Sequence, residues 1–304
     1  MALSPVVVFA YNRPWHIRQT IDSLRENILA SESEVFIYSD AASTEAELAK
    51  VAEVRAYIKT LGRGFKKITV IERDINFGLA ESIIEGVTTV LGMYDKIIVL
   101  EDDMVTSPYF LTYMNEGLDR FSSSDDVICI HGYLYPVREV LPETFFLLGA
   151  DCWGWATWQR GWSLFNPDGK ALFDELERRA LTYLFDFNNS YPYTKMLRRQ
   201  LVGENNSWAI RWYASAFLAG KLTLYPGRSL VNNIGNDSSG RHCGSSSNLD
   251  VRLSDVPIKF SDVEIVQSVE ARLAFERFFR RNKMLNLYDM MCRALSTFQG
   301  RLLV

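Results

Sequence analysis

Residues Lys96 to Asp103, Lys-Ile-Ile-Val-Leu-Glu-Asp-Asp, restrict the fold more than any other stretch of the chain. The apolar run Ile97-Ile98-Val99-Leu100 is short, rich in β-branched residues and bounded by charge, which marks a buried strand rather than a helix. The strand stops at Glu101, Asp102 and Asp103. Adjacent carboxylates repel one another unless a cation or several hydrogen-bond donors share the charge. At the carboxyl end of a strand in an α/β sheet that partner is usually a ligand. Mg²⁺ in particular is often shared between one or two carboxylates and the phosphates of a substrate. A metal–diphosphate site is therefore the functional expectation, and an acidic surface turn is the alternative.

The chain upstream repeats the same layout. Val6-Val7-Val8-Phe9-Ala10 is fully apolar, as suits a central parallel strand buried on both faces. It runs into Tyr11-Asn12-Arg13-Pro14, and a helix is expected from Trp15 to Glu26 with Pro14 near its first turn. Ile17, Ile21 and Leu24 form its inward stripe. Glu34 to Ser39 is a second strand ending at Asp40, followed by a helix from Glu45 to Leu61 that Gly62-Arg63-Gly64 ends. A third strand, Ile68 to Ile71, precedes a helix from Ala80 to about Met93. This alternation predicts a mostly parallel, doubly wound α/β sheet flanked by helices. Arg13, Asp40 and the acidic triplet would then gather on one edge, where open α/β sheets bind ligands. Arg13 falls in a loop where a diphosphate could lie; a surface salt bridge is its plainer reading.

Several classes are excluded or disfavoured. No Gly-x-Gly-x-x-Gly follows the first strand, which counts against a dinucleotide oxidoreductase. No Gly-x-x-x-x-Gly-Lys-[Ser/Thr] occurs, which counts against a P-loop NTPase. Phosphates must then be held by metal and side chains. The 304 residues suffice for one large α/β domain, or one with an appendage. A net charge of −4 gives no support for nucleic acid as a partner. Cys129, Cys152, Cys243 and Cys292 are scattered and read as reduced thiols of a cytoplasmic protein. No signal peptide is expected, and no run approaches the roughly 18 apolar residues of a membrane span.

Further along, Val127 to Tyr133 is another strand with a polar end, where His131 reads as a structural or acceptor-side residue rather than a metal ligand. The aromatic block Ala150 to Trp162 contains Trp153, Trp155, Trp158 and Trp162 and reads equally as a core cluster or as a sugar-side surface. Asp151 within it is harder to dismiss, because burying an unpaired carboxylate is costly. Residues 163–203 read as a partly helical insertion, with helical periodicity from Ala171 to Asp186. Ser207 is a suitable cap for a helix from Trp208 to Leu218, and Leu222 to Pro226 is a late strand. The Gly-, Ser- and Asn-rich stretch from Asn232 to Gly244 reads as a flexible loop. From Ser261 to Phe298 the pattern is helical, with Val266, Val269, Leu273, Phe275, Phe278 and Phe279 among arginines. A basic aromatic helix suits an anionic membrane surface, the catalytic domain itself or a second subunit, and the sequence leaves the three open.

The ordered set Tyr11-Asn12-Arg13-Pro14, Tyr38-Ser39-Asp40, Asn76-Phe77-Gly78-Leu79 and Val99-Leu100-Glu101-Asp102-Asp103 resembles a GT-A glycosyltransferase, over about residues 4–240. Met104 to Phe110 fits the same pattern, and the Asp151–Trp162 block is similar to a Gly-x-Gly-Trp stretch of such enzymes. The closest type is N-acetylglucosaminyltransferase I, with Glu-Asp-Asp in place of Asp-x-Asp, alongside bacterial surface-polysaccharide glycosyltransferases. The resemblance implies a GT-A catalytic domain over residues 1–244, with a nucleotide-sugar half to about 121 and an acceptor half from 122. Residues 245–304 would be a helical C-terminal extension. It implies Arg13, Asp40, Asn76, Glu101 and Asp102 on the nucleotide sugar, with Asp103 on Mn²⁺ or Mg²⁺. Arg241 or His242 would reach the diphosphate or the metal from a closing loop. The general base of an inverting reaction would be Glu204 or Asp151, with Glu204 slightly preferred. The Trp-Asp-Asp-Trp carboxylate of related enzymes is replaced here by Ala209. The donor would be UDP-N-acetylglucosamine or another UDP-hexose, and the acceptor a saccharide or lipid-linked saccharide. A sugar-1-phosphate nucleotidyltransferase and a non-catalytic sugar-nucleotide-binding protein are the competing readings. Peripheral membrane contact and homo-oligomerisation stay open.

Overall fold

The structure, a computed structural model, describes residues 3–237, 247–260 and 262–284. β1 (Val6–Ala10) is buried along its length and leads to α1 (Pro14–Arg25). Pro14 opens α1, where its missing N–H leaves no bond unmade, and Ile17, Ile21 and Leu24 are buried on one stripe. Then come β2 (Glu34–Ser39), α2 (Leu48–Lys59), β3 (Lys67–Glu72), α3 (Gly78–Leu91) and β4 (Lys96–Glu101). A turn at Asp102 and Asp103 joins β4 to β5 (Met104–Thr106), followed by α4 (Phe110–Arg120) and β6 (Val127–His131). The second half holds β7 (Thr144–Leu148), β8 (Trp155–Trp158), α5 (Gln159–Trp162), α6 (Gly169–Arg178), α7 (Thr182–Phe185) and α8 (Tyr193–Leu201). It continues with α9 (Trp208–Leu218), β9 (Leu222–Pro226) and β10 (Val231–Asn233). Residues 269–284 form a C-terminal helix.

The expected mostly parallel α/β sheet is present. Its eight strands run in the order β3-β2-β1-β4-β8-β6-β9-β7. β1 pairs in parallel with β2 and β4, β2 with β3, and β6 with β9. β8 runs antiparallel between β4 and β6, and β7 antiparallel on the far edge beside β9. The sheet is thus continuous through both halves of the chain. α1, α2 and α4 cover one face, against Val6, Val8, Ile98 and Leu100. α3 and α9 cover the other, against Val7, Phe9, Ile97 and Val99.

Three local differences from the sequence reading have clear causes. The aromatic block is mainly core: Trp155, Trp162, Trp208 and Trp212 pack with ring centroids 5.3–5.9 Å apart. Its WATW run is the reversed strand β8, buried on both faces and so without polar alternation. The single helix expected from Ala171 to Asp186 is broken, because the chain turns at Ala180 with φ 52°. The aromatics of the C-terminal helix are turned inward: Phe275, Phe278 and Phe279 join a core with Phe187, Tyr213 and Tyr225. Of the three partners left open for this helix, its described aromatic side takes the rest of this chain. Val269 and Leu273 remain exposed. No helix among the described residues is long and apolar enough to cross a membrane.

Candidate active site

Parallel strands deliver their carboxyl ends to one edge. β1 brings Arg13, β2 brings Asp40, and β4 brings Glu101 followed by the Asp102-Asp103 turn. The turn is held from three sides. Thr20 Oγ1 on α1 donates to the Asp102 carbonyl at 2.7 Å. β5 pairs antiparallel with β10, Val105 opposite Asn232. The Ile234 N–H donates to the Asp103 carbonyl at 2.9 Å. The segment after β10 therefore lies directly over the acidic turn. His16 Nε2, 3.1 Å from Asp237 Oδ2, ties its far end to α1.

Asp102 and Asp103 are buried and Glu101 half-buried. Arg13 lies between the two aspartates, its Nη2 on Asp102 Oδ1 and its Nη1 2.9 Å from Asp103 Oδ2. Burial alone would lower the Arg13 pKa, but Asp102, Asp103 and Glu101 outweigh it and hold the guanidinium above its ordinary value. Glu101 is pushed up to about 8 by burial and then by the charges of Asp103 and Asp102, with Arg13 opposing. Asp102 is likewise raised, mainly by burial, against Arg13. One guanidinium does not offset three clustered carboxylates.

The residues fit a hard cation on restricted terms. Asp103 Oδ1 is buried and makes no hydrogen bond among the described residues. Among the described residues no group of three or more His, Cys, Asp or Glu side chains forms a ligand cage. One open carboxylate oxygen is too little for a metal held by protein alone. It suits Mg²⁺ or Mn²⁺ that keeps substrate phosphates as its other ligands. Gly235 lies against the same carboxylate: a Cβ there would sit 2.9 Å from Asp103 Cγ and 3.0 Å from Arg13 Nη1.

Asp40 is 6% exposed and its carboxylate is fully engaged. Oδ1 accepts from the N–H groups of Ala41 and Phe77, both at 2.9 Å. Oδ2 accepts from the Gly78 N–H at 2.9 Å and from Asn76 Nδ2 at 3.2 Å. It thus serves the open N–H groups at the start of α3, where negative charge is favoured. Gly78, at φ 72°, gives the turn a backbone that other residues rarely adopt. Asn76 also donates to the Ala41 carbonyl at 2.6 Å. Arg73, buried beside Asp40, pairs with Glu85 and lies 3.9 Å from the Phe77 ring centroid.

The two candidate bases are placed very differently. Glu204 is 57% exposed on the α8–α9 connection and pairs with Arg199 Nε at 2.7 Å. Asp151 lies on the approach to β8. Trp155 is level with Val99 on β4, the last pair of that ladder, and the chain before it bends at Trp153 and Gly154. Burial, then the charges of Asp151 and Glu101, push the Cys152 thiol well above the usual range. Asp151 Oδ1 accepts from the Cys152 N–H at 2.8 Å, and Oδ2 from the Tyr225 hydroxyl at 3.2 Å. Asp151 thus shares a neighbour, Cys152, with Glu101, and Glu204 is set apart with its own cation. Ser207 caps α9 as expected, accepting from the Ile210 N–H. Arg241 and His242 lie outside the described residues, as do Cys243 and Cys292.

With this geometry in place, the comparisons become specific. The model of glycosyl transferase family 2 matches residues 6–159, from β1 through β8. The chain belongs to glycosyl transferase family 2. The expected resemblance to N-acetylglucosaminyltransferase I, drawn from Glu101-Asp102-Asp103 and Met104 to Phe110, is finer than this family match. Among solved structures, the chain is similar to the 1–349 segment of TarS from S. aureus. The identity is 16% and the TM-score 0.35, over 54% of this chain and 48% of that one. A second TarS structure gives 19% identity and a TM-score of 0.32, over 48% and 25%. Glucosyl-3-phosphoglycerate synthase from Mycobacterium tuberculosis, in complex with Mn²⁺, UDP and phosphoglyceric acid, gives 12% and 0.30, over 58% and 65%. The match spans about half of the first TarS structure and a quarter of the second. No curated protein matches.

The sequence reading missed three residues that the structure places around these carboxylates. Gly235 carried a faint signal, being a glycine soon after a late strand. Tyr225 sits at a strand end just before Pro226, the position that elsewhere gave Asp40 and Glu101. His16 gave none, since its partner Asp237 is distant in sequence.

Proposed function

We propose that the chain is a metal-dependent, inverting glycosyltransferase. It moves a hexosyl group from a UDP-sugar, with UDP-N-acetylglucosamine the first candidate, to a saccharide or lipid-linked saccharide. The observation that carries this reading is the buried, unpartnered Asp103 Oδ1 beside Arg13 at the carboxyl edge of the sheet. Asp103 would hold the divalent cation, and Asp102 and Glu101 would face the donor sugar and ribose. Bound there, the cation would neutralise charge developing on the departing diphosphate. Arg13, released from Asp103, is close enough to turn its guanidinium to a phosphate oxygen. Asp40 has no free acceptor, so its part is to hold the 76–78 turn as one wall of the nucleotide pocket.

Asp151 is the better-supported base, because Glu204 is exposed and already paired. In the transfer, the acceptor hydroxyl gives its proton to the Asp151 carboxylate and its oxygen attacks the anomeric carbon. The bond from that carbon to the diphosphate oxygen breaks, and its electron pair leaves with UDP. A single displacement inverts the anomeric centre. The test is calorimetric titration of UDP, UDP-glucose, UDP-galactose and UDP-N-acetylglucosamine with Mg²⁺, and again with EDTA. Binding of UDP that depends on Mg²⁺ and is lost in Asp103→Asn is expected. Equal binding with EDTA, or none at all, would overturn the reading.

A further inference from the structure

Asp151 stands in an aromatic recess outside the triplet. Tyr135, Phe187, Tyr193, Tyr213, Tyr225 and Phe279 surround it. The enclosed part has room for one group the size of a water molecule. The recess contains a carboxylate and no cation. His131 is not one: its Nε2 accepts from the Trp153 N–H at 3.1 Å, so its 3.7 Å separation from Asp151 Oδ1 is not an ion pair. Burial also holds the His131 pKa down. The surrounding tyrosines keep their protons, since burial, and after it Asp151, raises Tyr135, Tyr193 and Tyr225 well above the usual range.

The backbone around the recess is strained. Phe187, Asn188 and Asn189 take φ values of 48°, 54° and 59° in succession. Asparagine tolerates this region, whereas a bulky Phe does so at a cost of order 1–3 kcal/mol. The turn is over-determined by its surroundings. Asn188 Nδ2 donates to Glu276 Oε1 on the C-terminal helix at 2.8 Å, and Ser190 Oγ to the Phe187 carbonyl at 2.6 Å. Strain maintained in this way clusters at ligand sites. Its effect here is to seat Phe187 in the recess wall.

We propose that this recess is the acceptor subsite, and that it takes one uncharged hydroxyl-bearing arm of a saccharide. It rests on the glycosyltransferase reading of the neighbouring site. The half-buried rings of Tyr135 and Tyr193 offer apolar faces at the recess to the C–H face of a sugar. The Tyr135 ring also stands 6.5 Å from that of Trp153, so aromatic surface extends from the recess toward the start of β8. An anionic group would meet Asp151 with no Lys, Arg or His among the described lining residues to offset it, which disfavours uronic acids and phosphates. Tyr225 is a positioning residue: its hydroxyl fixes Asp151 Oδ2, and its ring is clamped by Phe145 at 5.6 Å and Phe275 at 5.7 Å. Most of this wall lies beyond the family-matched residues, in the insertion, α9, β9 and the C-terminal helix.

The experiment uses the full chain with Tyr225→Phe, which deletes a hydroxyl, and Tyr193→Leu, which removes a ring face. The probes are methyl β-D-glucopyranoside, methyl β-D-galactopyranoside and the methyl glycoside of glucuronic acid. Ligand-observed NMR reads their binding, and UDP release from the UDP-sugar that binds best reads turnover. Tyr193→Leu is expected to weaken binding of the neutral glycosides and raise their KM about fivefold. Tyr225→Phe is expected to lower kcat about tenfold with KM and UDP affinity within about twofold of wild type. The glucuronoside is expected not to bind. Unchanged glycoside binding and turnover in both variants, or glucuronoside binding equal to that of the glucoside, would overturn the proposal. Failure of UDP to bind would count against the donor site alone, because the NMR titrations still decide the recess.

Discussion

Replacing Gly235 by alanine puts one methyl group between the segment after β10 and the acidic turn. The new Cβ would lie 2.9 Å from Asp103 Cγ and 3.0 Å from Arg13 Nη1, with Asp103 Oδ2 nearer still. Non-bonded contacts to carbon settle at about 3.5 Å or more, so something has to move by about an ångström. Backbone strain plays no part, since Gly235 is not among the residues with positive φ. The segment cannot simply lift away: Ile234 donates to the Asp103 carbonyl, and β10 is paired with β5. The displacement therefore falls on the Asp103 carboxylate and on Arg13. Overpacking of this kind costs about 1–3 kcal/mol. A shift of about 1 Å at a positioning group costs about 10²-fold in function. Calorimetry of UDP with Mg²⁺ should accordingly show binding weaker by about two orders of magnitude. Gly62→Ala, where nothing lies within 4 Å of the added Cβ, is the control and should bind as wild type. Wild-type affinity in Gly235→Ala would refute the placement of the diphosphate against Asp103.

Other substitutions separate the remaining roles. Arg13→Ala leaves two buried aspartates without their partner and should lower stability by about 3 kcal/mol in denaturant titrations. Mg²⁺ with UDP should stabilise that variant more than wild type, and equal stabilisation would argue against a shared site. Asp40→Asn presents an NH₂ group to two of the four donors now bonded to Asp40. It should cost about 2 kcal/mol and loosen the start of α3, read as faster amide exchange at Phe77 and Gly78. Glu204→Gln removes an exposed ion pair and should change stability by less than about 0.5 kcal/mol, with turnover unchanged. A large loss of turnover there would return the base to Glu204.

The strand ends were legible because the physics that sets them is local. β1, β2 and β4 are short apolar runs ending at polar residues, and the parallel-sheet rule then puts Arg13, Asp40 and Glu101 on one edge without any contact being known. The carboxyl triplet identified itself by its own repulsion. What was not legible depends on pairings that no short window contains. β8 is inserted in reverse between β4 and β6, and its WATW run, buried on both faces, has no alternation to expose it. Arg13 meets Asp102 across 89 positions and Tyr225 meets Asp151 across 74, each contact fixed by sheet register rather than by local pattern.

This difference divides the site itself. The donor side is made from consecutive strand–helix units within residues 6–159, each of which would offer its loop to a nucleotide in almost any member of the fold. The proposed acceptor side is made from one carboxylate on the approach to β8, a tyrosine at the end of β9, a strained turn before α8 and a helix near the end of the chain. None of these pieces can form a recess alone, and each needs the others to bury its rings. Motif reading therefore reaches the donor chemistry first. On the proposed reading, acceptor choice would be written in how the insertion and the C-terminal helix pack around Asp151, which is why substitutions at Tyr193 and Tyr225 test that reading more sharply than further changes to the triplet.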